Sequence, residues 1–238
     1  MPHLVLWDID HTLIATRGLG RELSAVAFER VTGVPVREQA TVDGITEAVI
    51  FRETAKLHGL ETGRADFERF ARALAEQHVL HAAELRERGR ALPGAAAALD
   101  AFAAANVRQT VVTGNVRAVA EVKLSVFGLE THIDWDGGAY GEDADLRPAL
   151  VDIALTRSAT PAHDAVLIGD TAADVRGGRE NGVYVIAVAT GRTSATELRA
   201  AGADAVLNDL TDVDTLLKLS PRRAQAQSYR QQLRRGIR

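Results

Sequence analysis

From residue 95 onward the chain alternates apolar segments of strand length with segments of helical period, and this rhythm narrows the possible folds more than any other feature. Residues 95–105 have helical spacing, and residues 107–113 (VRQTVVT) read as a strand. A helix is expected over 115–127, closed by Gly128, followed by a short strand over 132–135 and a Gly-rich acidic loop over 137–145. Then come a helix over 147–157, a strand over 165–169, a helix over 172–181 capped by Gly182, and a strand over 183–188. A helix over 194–201, a strand over 205–207 and a helix over 212–219 complete the series. Strands and helices alternating at this spacing predict an α/β fold, a parallel sheet with helices on both faces.

The first strand stands apart from this run. Residues 4–7 (LVLW) are apolar enough for a buried strand, and they lead directly into Asp8-Ile9-Asp10-His11-Thr12-Leu13. Residues two apart on a strand share a face, so Asp8 and Asp10 point the same way if the strand continues through both. Their repulsion requires a hard cation, a shared proton or exposure to water. Open α/β sheets bind ligands at this kind of strand end.

Other expected strand ends add polar groups. Thr113-Gly114-Asn115 offers a hydroxyl and helix N-terminal amides suited to a phosphate, although the same triplet also makes an ordinary turn into a helix. Gly169-Asp170-Thr171-Ala172-Ala173-Asp174 places a second acid one helical turn beyond the first. Read alone, that pair is an N-cap with a dipole-facing acid. Arg147 opens a helix where its charge opposes the dipole, which a nearby anion explains and solvation also permits.

Between the first strand and residue 91 the pattern is helical throughout, with helices expected over 21–32, 46–58 and 66–88. This block interrupts the crossover at the end where the acids sit, so it is expected to form a lid over them. The expected division is a core of residues 1–14 and 92–220, a helical insert of 15–91 and a basic tail of 221–238. His78 and His81 lie three apart on the long helix without a third ligand nearby and read as surface or inter-helix histidines.

The chain has no cysteine, which excludes disulfides, thiolate metal sites and cysteine nucleophiles. No apolar run is long enough to span a bilayer and no leader is recognisable at the N-terminus, so a cytoplasmic protein is expected. The net charge of −4 conceals a tail carrying Arg222, Arg223, Arg230, Arg234, Arg235 and Arg238 with no acid. Such a tail can touch nucleic acid, but a solvated arm is its simpler meaning, and no nucleic-acid role is assigned.

The ordered motifs DIDHTL, TGN, RP and GDTAAD resemble those of the haloacid dehalogenase-like hydrolase superfamily, and the helical insert resembles the cap of its phosphoglycolate phosphatase-like branch. The resemblance implies a Rossmann-like core and a phosphatase acting on a small phosphorylated metabolite, as a monomer or homodimer. It implies that Asp8 is the nucleophile and Asp10 the general acid and base, the latter starting protonated with its pKa raised by Asp8 and substrate. Mg2+ is then held by Asp8, the Asp10 carbonyl, Asp170 and Asp174, and the phosphoryl oxygens by Thr113, Gly114 and Asn115.

Two positions depart from the family's pattern. The third motif usually holds lysine where this chain has Arg147, whose fork also suits phosphate. Lys123 is the competing cation, disfavoured because ten residues of helix from the Thr113 loop is about 15 Å. His11 stands where glycine is common and reads as a packing substitution. In the insert, Asp43-Gly44-Ile45-Thr46 resembles the segment that descends over related sites, which makes Thr46 a substrate-binding candidate and Glu47 and Arg52 further expected neighbours of the substrate. Asp10 argues against a dehalogenase or phosphonatase. A phosphosugar mutase of the superfamily and a non-catalytic binding protein that kept the fold remain alternatives.

Overall fold

The structure, a computed structural model, describes residues 2–40 and 46–220. The expectations for Asp43, Gly44, Ile45 and the basic tail fall outside the described residues. Five strands form one parallel sheet: β1 (Leu4–Trp7), β4 (Arg108–Val111), β5 (Ala165–Gly169), β6 (Tyr184–Val188) and β7 (Ala205–Leu207), in the order β4-β1-β5-β6-β7. The chain leaves β1 to one side and returns on the other, so a topological switch point lies beside β1.

The side-chain period of two explains why β1 is apolar without a break. Leu4 and Leu6 enter one buried cluster with Leu150, Val151 and Val175, whereas Val5 and Trp7 enter another with Leu99 and Phe102. Helices α7 (Arg147–Arg157), α8 (Ala172–Asn181) and α9 (Ala195–Ala201) cover the first face, and α5 (Ala95–Ala104) and α10 (Val213–Leu219) the second. Trp7 is the largest side chain of this core. It meets Phe102 edge-on at 5.9 Å and donates its indole N–H to Gln109 at 3.0 Å, so its one polar atom is satisfied.

Between β1 and β4 the chain forms α1 (Leu19–Thr32), α2 (Glu47–Leu57), α3 (Arg64–Leu80) and α4 (Ala82–Arg88). These helices have a core of their own, built on Phe28, Phe51, Phe67, Phe70 and Leu74, with Phe51 and Phe70 stacked at 4.7 Å. Burial of each such side chain contributes about 1.5–3 kcal/mol, enough to hold a four-helix unit together. Helix α6 (Arg117–Val126) joins the two parts, because Val116, Val119 and Val126 pack into the helical unit and Ala120 and Leu124 into the sheet's cluster. No helix among the described residues is long and apolar enough to cross a membrane.

Three expectations need correction. The helix expected over 66–88 is two, broken at His81, where ψ of 21° leaves the helical region without any glycine or proline to mark the break. The strand expected over 132–135 is a single bridge from Ile133 to Gln109, because Asp134 turns the chain by accepting the amides of Asp136 and Gly137 at 3.2 Å. Two strands of two residues, β2 (Ile14–Ala15) and β3 (Arg90–Ala91), pair antiparallel where the chain enters and leaves the helical unit, a length too short for any period to reveal.

Candidate active site

The register of the sheet brings the predicted residues together. Trp7 pairs with Val111 on one side and Ile168 on the other, so Asp8, Thr113 and Asp170 emerge within two residues of the same level at the C-terminal edge. Carboxylate oxygens of Asp8, Asp170 and Asp174 lie within 4.8 Å of one another, and all three residues are buried. Asp8 and Asp170 are therefore close enough to share one ion.

Local sequence makes this approach possible. Thr171 accepts the Asp174 amide at 3.2 Å, and Asp174 Oδ2 accepts the Thr171 amide at 3.1 Å, a reciprocal cap that turns Asp174 back toward β5. A Cβ on Gly169 would lie 2.5 Å from the Asp174 carboxyl carbon, so only glycine fits there. Thr12 lies 3.2 Å from Asp8 Oδ2 and 3.4 Å from Asp170 Oδ1, a hydroxyl between two acids. Its place two residues after Asp10 was the available signal for it.

Arg147 is buried at the centre of the acids. Its terminal nitrogens reach the Val112 carbonyl at 2.7 Å and Asp8 Oδ1 at 3.2 Å, and Nε lies 3.1 Å from Asp174 Oδ1. The anion anticipated for an arginine at this helix start is thus present twice. Gly177, inside α8, is explained by the same side chain: a Cβ there would come within 2.8 Å of Arg147 Cγ. Glycine inside a helix costs about 0.5–1 kcal/mol relative to alanine, so the passage of Arg147 outweighs helix propensity.

Lys123 also reaches the site, contrary to the distance argument against it. Its Nζ donates to Asp10 Oδ1 and Oδ2 at 2.9 and 2.8 Å and to Asn115 Oδ1 at 2.7 Å. Helix α6 begins only at Arg117, so Lys123 stands about 9 Å along it, and helical side chains lean toward the N-terminus. Asn115 completes the network by donating to Asp10 Oδ2 at 2.7 Å and Thr113 Oγ1 at 2.8 Å. Its own amide points to Thr113 Oγ1 at 3.2 Å rather than outward, which corrects its expected place in an amide cradle.

The electrostatics divide the acids into two groups. Burial raises the Asp8 pKa, Asp174 and Asp10 raise it further, and Arg147 only partly opposes them. Asp170 is raised in the same way, first by burial and then by Asp8 and Asp174. Asp10 goes the other way: burial pushes it up, but Lys123 and Asn115 outweigh burial and hold it below the ordinary carboxylate value. The expected protonated Asp10 is therefore not the resting state of the substrate-free site.

Raised acids have a consequence for stability. A carboxyl that keeps its proton longer in the folded than in the unfolded state makes stability fall as pH rises from the ordinary carboxylate range through neutrality. Metal-free protein should therefore melt several degrees lower at about pH 8.5 than at about pH 5.5, and Asp170→Asn should flatten the slope. Thermal denaturation in chelator checks this; a slope unchanged in the variant would contradict it.

Facing these groups is a cleft of about 280 Å3 lined from the core by Asp8, Asp10, Thr113, Gly114, Asn115, Lys123, Arg147 and Asp170. Glu47 and Ile50 line it from the helical unit. Thr46, expected to bind substrate, is buried and caps α2 instead, accepting the Val49 amide at 3.4 Å. Arg52 pairs with Asp145 at 2.9 Å, away from the cleft lining. His78 is buried, its Nδ1 donating to the Leu74 carbonyl at 2.9 Å, and burial followed by the charge of Lys123 lowers its pKa to about 4. Its burial on α3 fits the inter-helix reading rather than the surface one. His11 has φ of 64°, a left-handed conformation that favours glycine, so backbone conformation rather than packing distinguishes this position.

The donor set fits a hard divalent ion. Three buried carboxylates converge, and Asp174 Oδ1 has no hydrogen-bond partner because Arg147 Nε lies off its hydrogen-bonding direction.

Comparison with known proteins agrees with this geometry. The sequence matches the family model of the haloacid dehalogenase-like hydrolases over residues 5–179, and the chain belongs to that family. Among solved structures, a family IA variant 3 hydrolase from Entamoeba histolytica superposes with a TM-score of 0.67 at 17% identity, covering 92% of this chain and 99% of that one. A predicted phosphoglycolate phosphatase from Haemophilus somnus gives 0.62 at 17% identity, covering 90% and 97%. CbbY from Rhodobacter sphaeroides, in complex with phosphate, gives 0.60 at 22% identity, covering 90% and 96%. At such identities the likeness is one of fold. No protein of curated function matches the sequence.

Proposed function

We propose that this protein is a Mg2+-dependent phosphatase that hydrolyses a small phosphate monoester through an aspartyl phosphate on Asp8. The observation that carries this reading is the convergence of Asp8, Asp170 and Asp174 within 4.8 Å beside Asp10 and two cations. Family membership and the phosphate in the CbbY structure point the same way.

An Asp8 oxygen attacks phosphorus and the ester P–O bond breaks, while Asp10 protonates the departing oxygen. Water then attacks the acyl phosphate, giving its proton to Asp10, and phosphate leaves with Asp8 restored. Asp10 is aimed by Lys123 and Asn115. Arrival of a phosphoryl dianion brings negative charge beside Asp10 and draws on the same ammonium, which raises the Asp10 pKa toward the protonated form. Arg147 and Thr113 hold the phosphoryl oxygens. Mg2+, held by Asp8, Asp170, Asp174 and the Asp10 carbonyl, would supply charge neutralisation in this step. The helical unit of residues 15–91 serves as a cap that excludes water from the cleft.

Hydrolysis of an activated aryl phosphate, abolished by chelation and restored by Mg2+, tests the proposal. No turnover with any ester would favour a binding protein. A narrower test uses Gly191, where a Cβ would fall 1.7 Å from Asp170 Oδ2. Gly191→Ala should weaken Mg2+ affinity by about tenfold or more by displacing that carboxylate, as titration calorimetry would show.

A further inference from the structure

We propose that Glu47 selects phosphate monoesters whose leaving group carries a hydroxyl near the ester oxygen and rejects those with a carboxylate there. The inference rests on the phosphatase reading and specifies its substrate class.

Glu47 lines the cleft from the first turn of α2, and its amide donates to the Gly114 carbonyl at 2.8 Å, which fixes that turn against the core loop bearing Thr113 and Asn115. Gly141 permits the approach, since a Cβ there would sit 2.0 Å from the Gly114 oxygen. Glu47 Oε2 is buried and has no hydrogen-bond partner. A buried acceptor left unpaired is costly, and a donor on the substrate removes that cost. Burial, with Lys123 opposing it, pushes the Glu47 pKa up to about 7, so its carboxylate form prevails only on the alkaline side.

Two features choose a neutral donor over a charged group. A carboxylate beside ionised Glu47 is repelled, while an ammonium meets Lys123 in the same part of the cleft. Arg21 and Arg192 line the cleft from exposed positions, so the lining remote from the ester is not uniformly acidic. Discrimination is thus confined to the atoms next to the ester.

The experiment compares kcat/KM for 2-hydroxyethyl phosphate and phosphoglycolate, two-carbon esters that differ in hydroxymethyl against carboxylate, at about pH 8.5 with Mg2+. Wild-type protein should favour the hydroxyl ester by roughly tenfold or more, and Glu47→Gln should shrink that ratio by about tenfold. A ratio measured within one preparation is unaffected by a partly folded variant. Equal or better turnover of phosphoglycolate, or a ratio moved less than about twofold by Glu47→Gln, overturns the inference alone if an aryl phosphate is hydrolysed. Failure to hydrolyse the aryl phosphate overturns the phosphatase reading and this inference together.

Discussion

Asp8→Asn should lower kcat for an aryl phosphate by at least about 10^4-fold while leaving the melting temperature unchanged or higher. The substitution keeps the shape of the side chain but removes the oxygen nucleophile. It also removes one of three carboxylates forced within 4.8 Å, whose mutual repulsion and burial raise the pKa values of Asp8 and Asp170. Relief of that repulsion is why loss of activity should not be accompanied by loss of stability. Steady-state kinetics with thermal denaturation of the same preparation checks both parts. Residual activity within about tenfold of wild type would remove Asp8 from the chemistry.

The second large effect falls on Arg147. Arg147→Met should destabilise the metal-free protein by about 3–5 kcal/mol, because a buried cation is removed from among acids that stay behind. For a chain of this size that corresponds to a fall of roughly 10 °C in Tm. Activity should fall by about 10^2-fold or more, and Mg2+ should recover part of the lost stability by supplying the missing charge. Arg147→Lys retains charge but loses the fork that spans Asp8 and Asp174, and should lie between the two. Wild-type stability and activity in Arg147→Met would transfer the role to Lys123.

The comparison of these two cations shows where a one-dimensional reading succeeds. Arg147 was legible because it stands at a helix start where its charge is unfavourable, a local conflict that only a tertiary anion resolves. Lys123 is harder to read: ten residues of helix from Thr113 overstate its distance, since α6 begins only at Arg117 and helical side chains lean toward the N-terminus. The sheet was legible because both faces of β1 are buried and its run is therefore continuously apolar. The break at His81 and the two-residue strands left no trace, since neither changes a hydrophobic period.

Glu47 and Thr46 illustrate a second limit. Adjacent residues at a helix start project differently, and which becomes the cap and which lines the cleft depends on the angle at which α2 meets the Gly114 loop. Gly141, remote in sequence, lets α2 approach that loop, and Phe51 on α2 itself packs into the core of the helical unit. Thr12 is hard to single out for a simpler reason: a threonine two residues beyond an acid pair is also an ordinary turn residue.

The central claim is that Asp8 itself receives the phosphoryl group. Quenching the protein in acid during turnover of an aryl phosphate, reducing it with tritiated borohydride and mapping the labelled peptide reads this directly. Label on residue 8 is the expected result; steady release of phosphate with no label on residue 8, or with label on another carboxylate, would contradict the account.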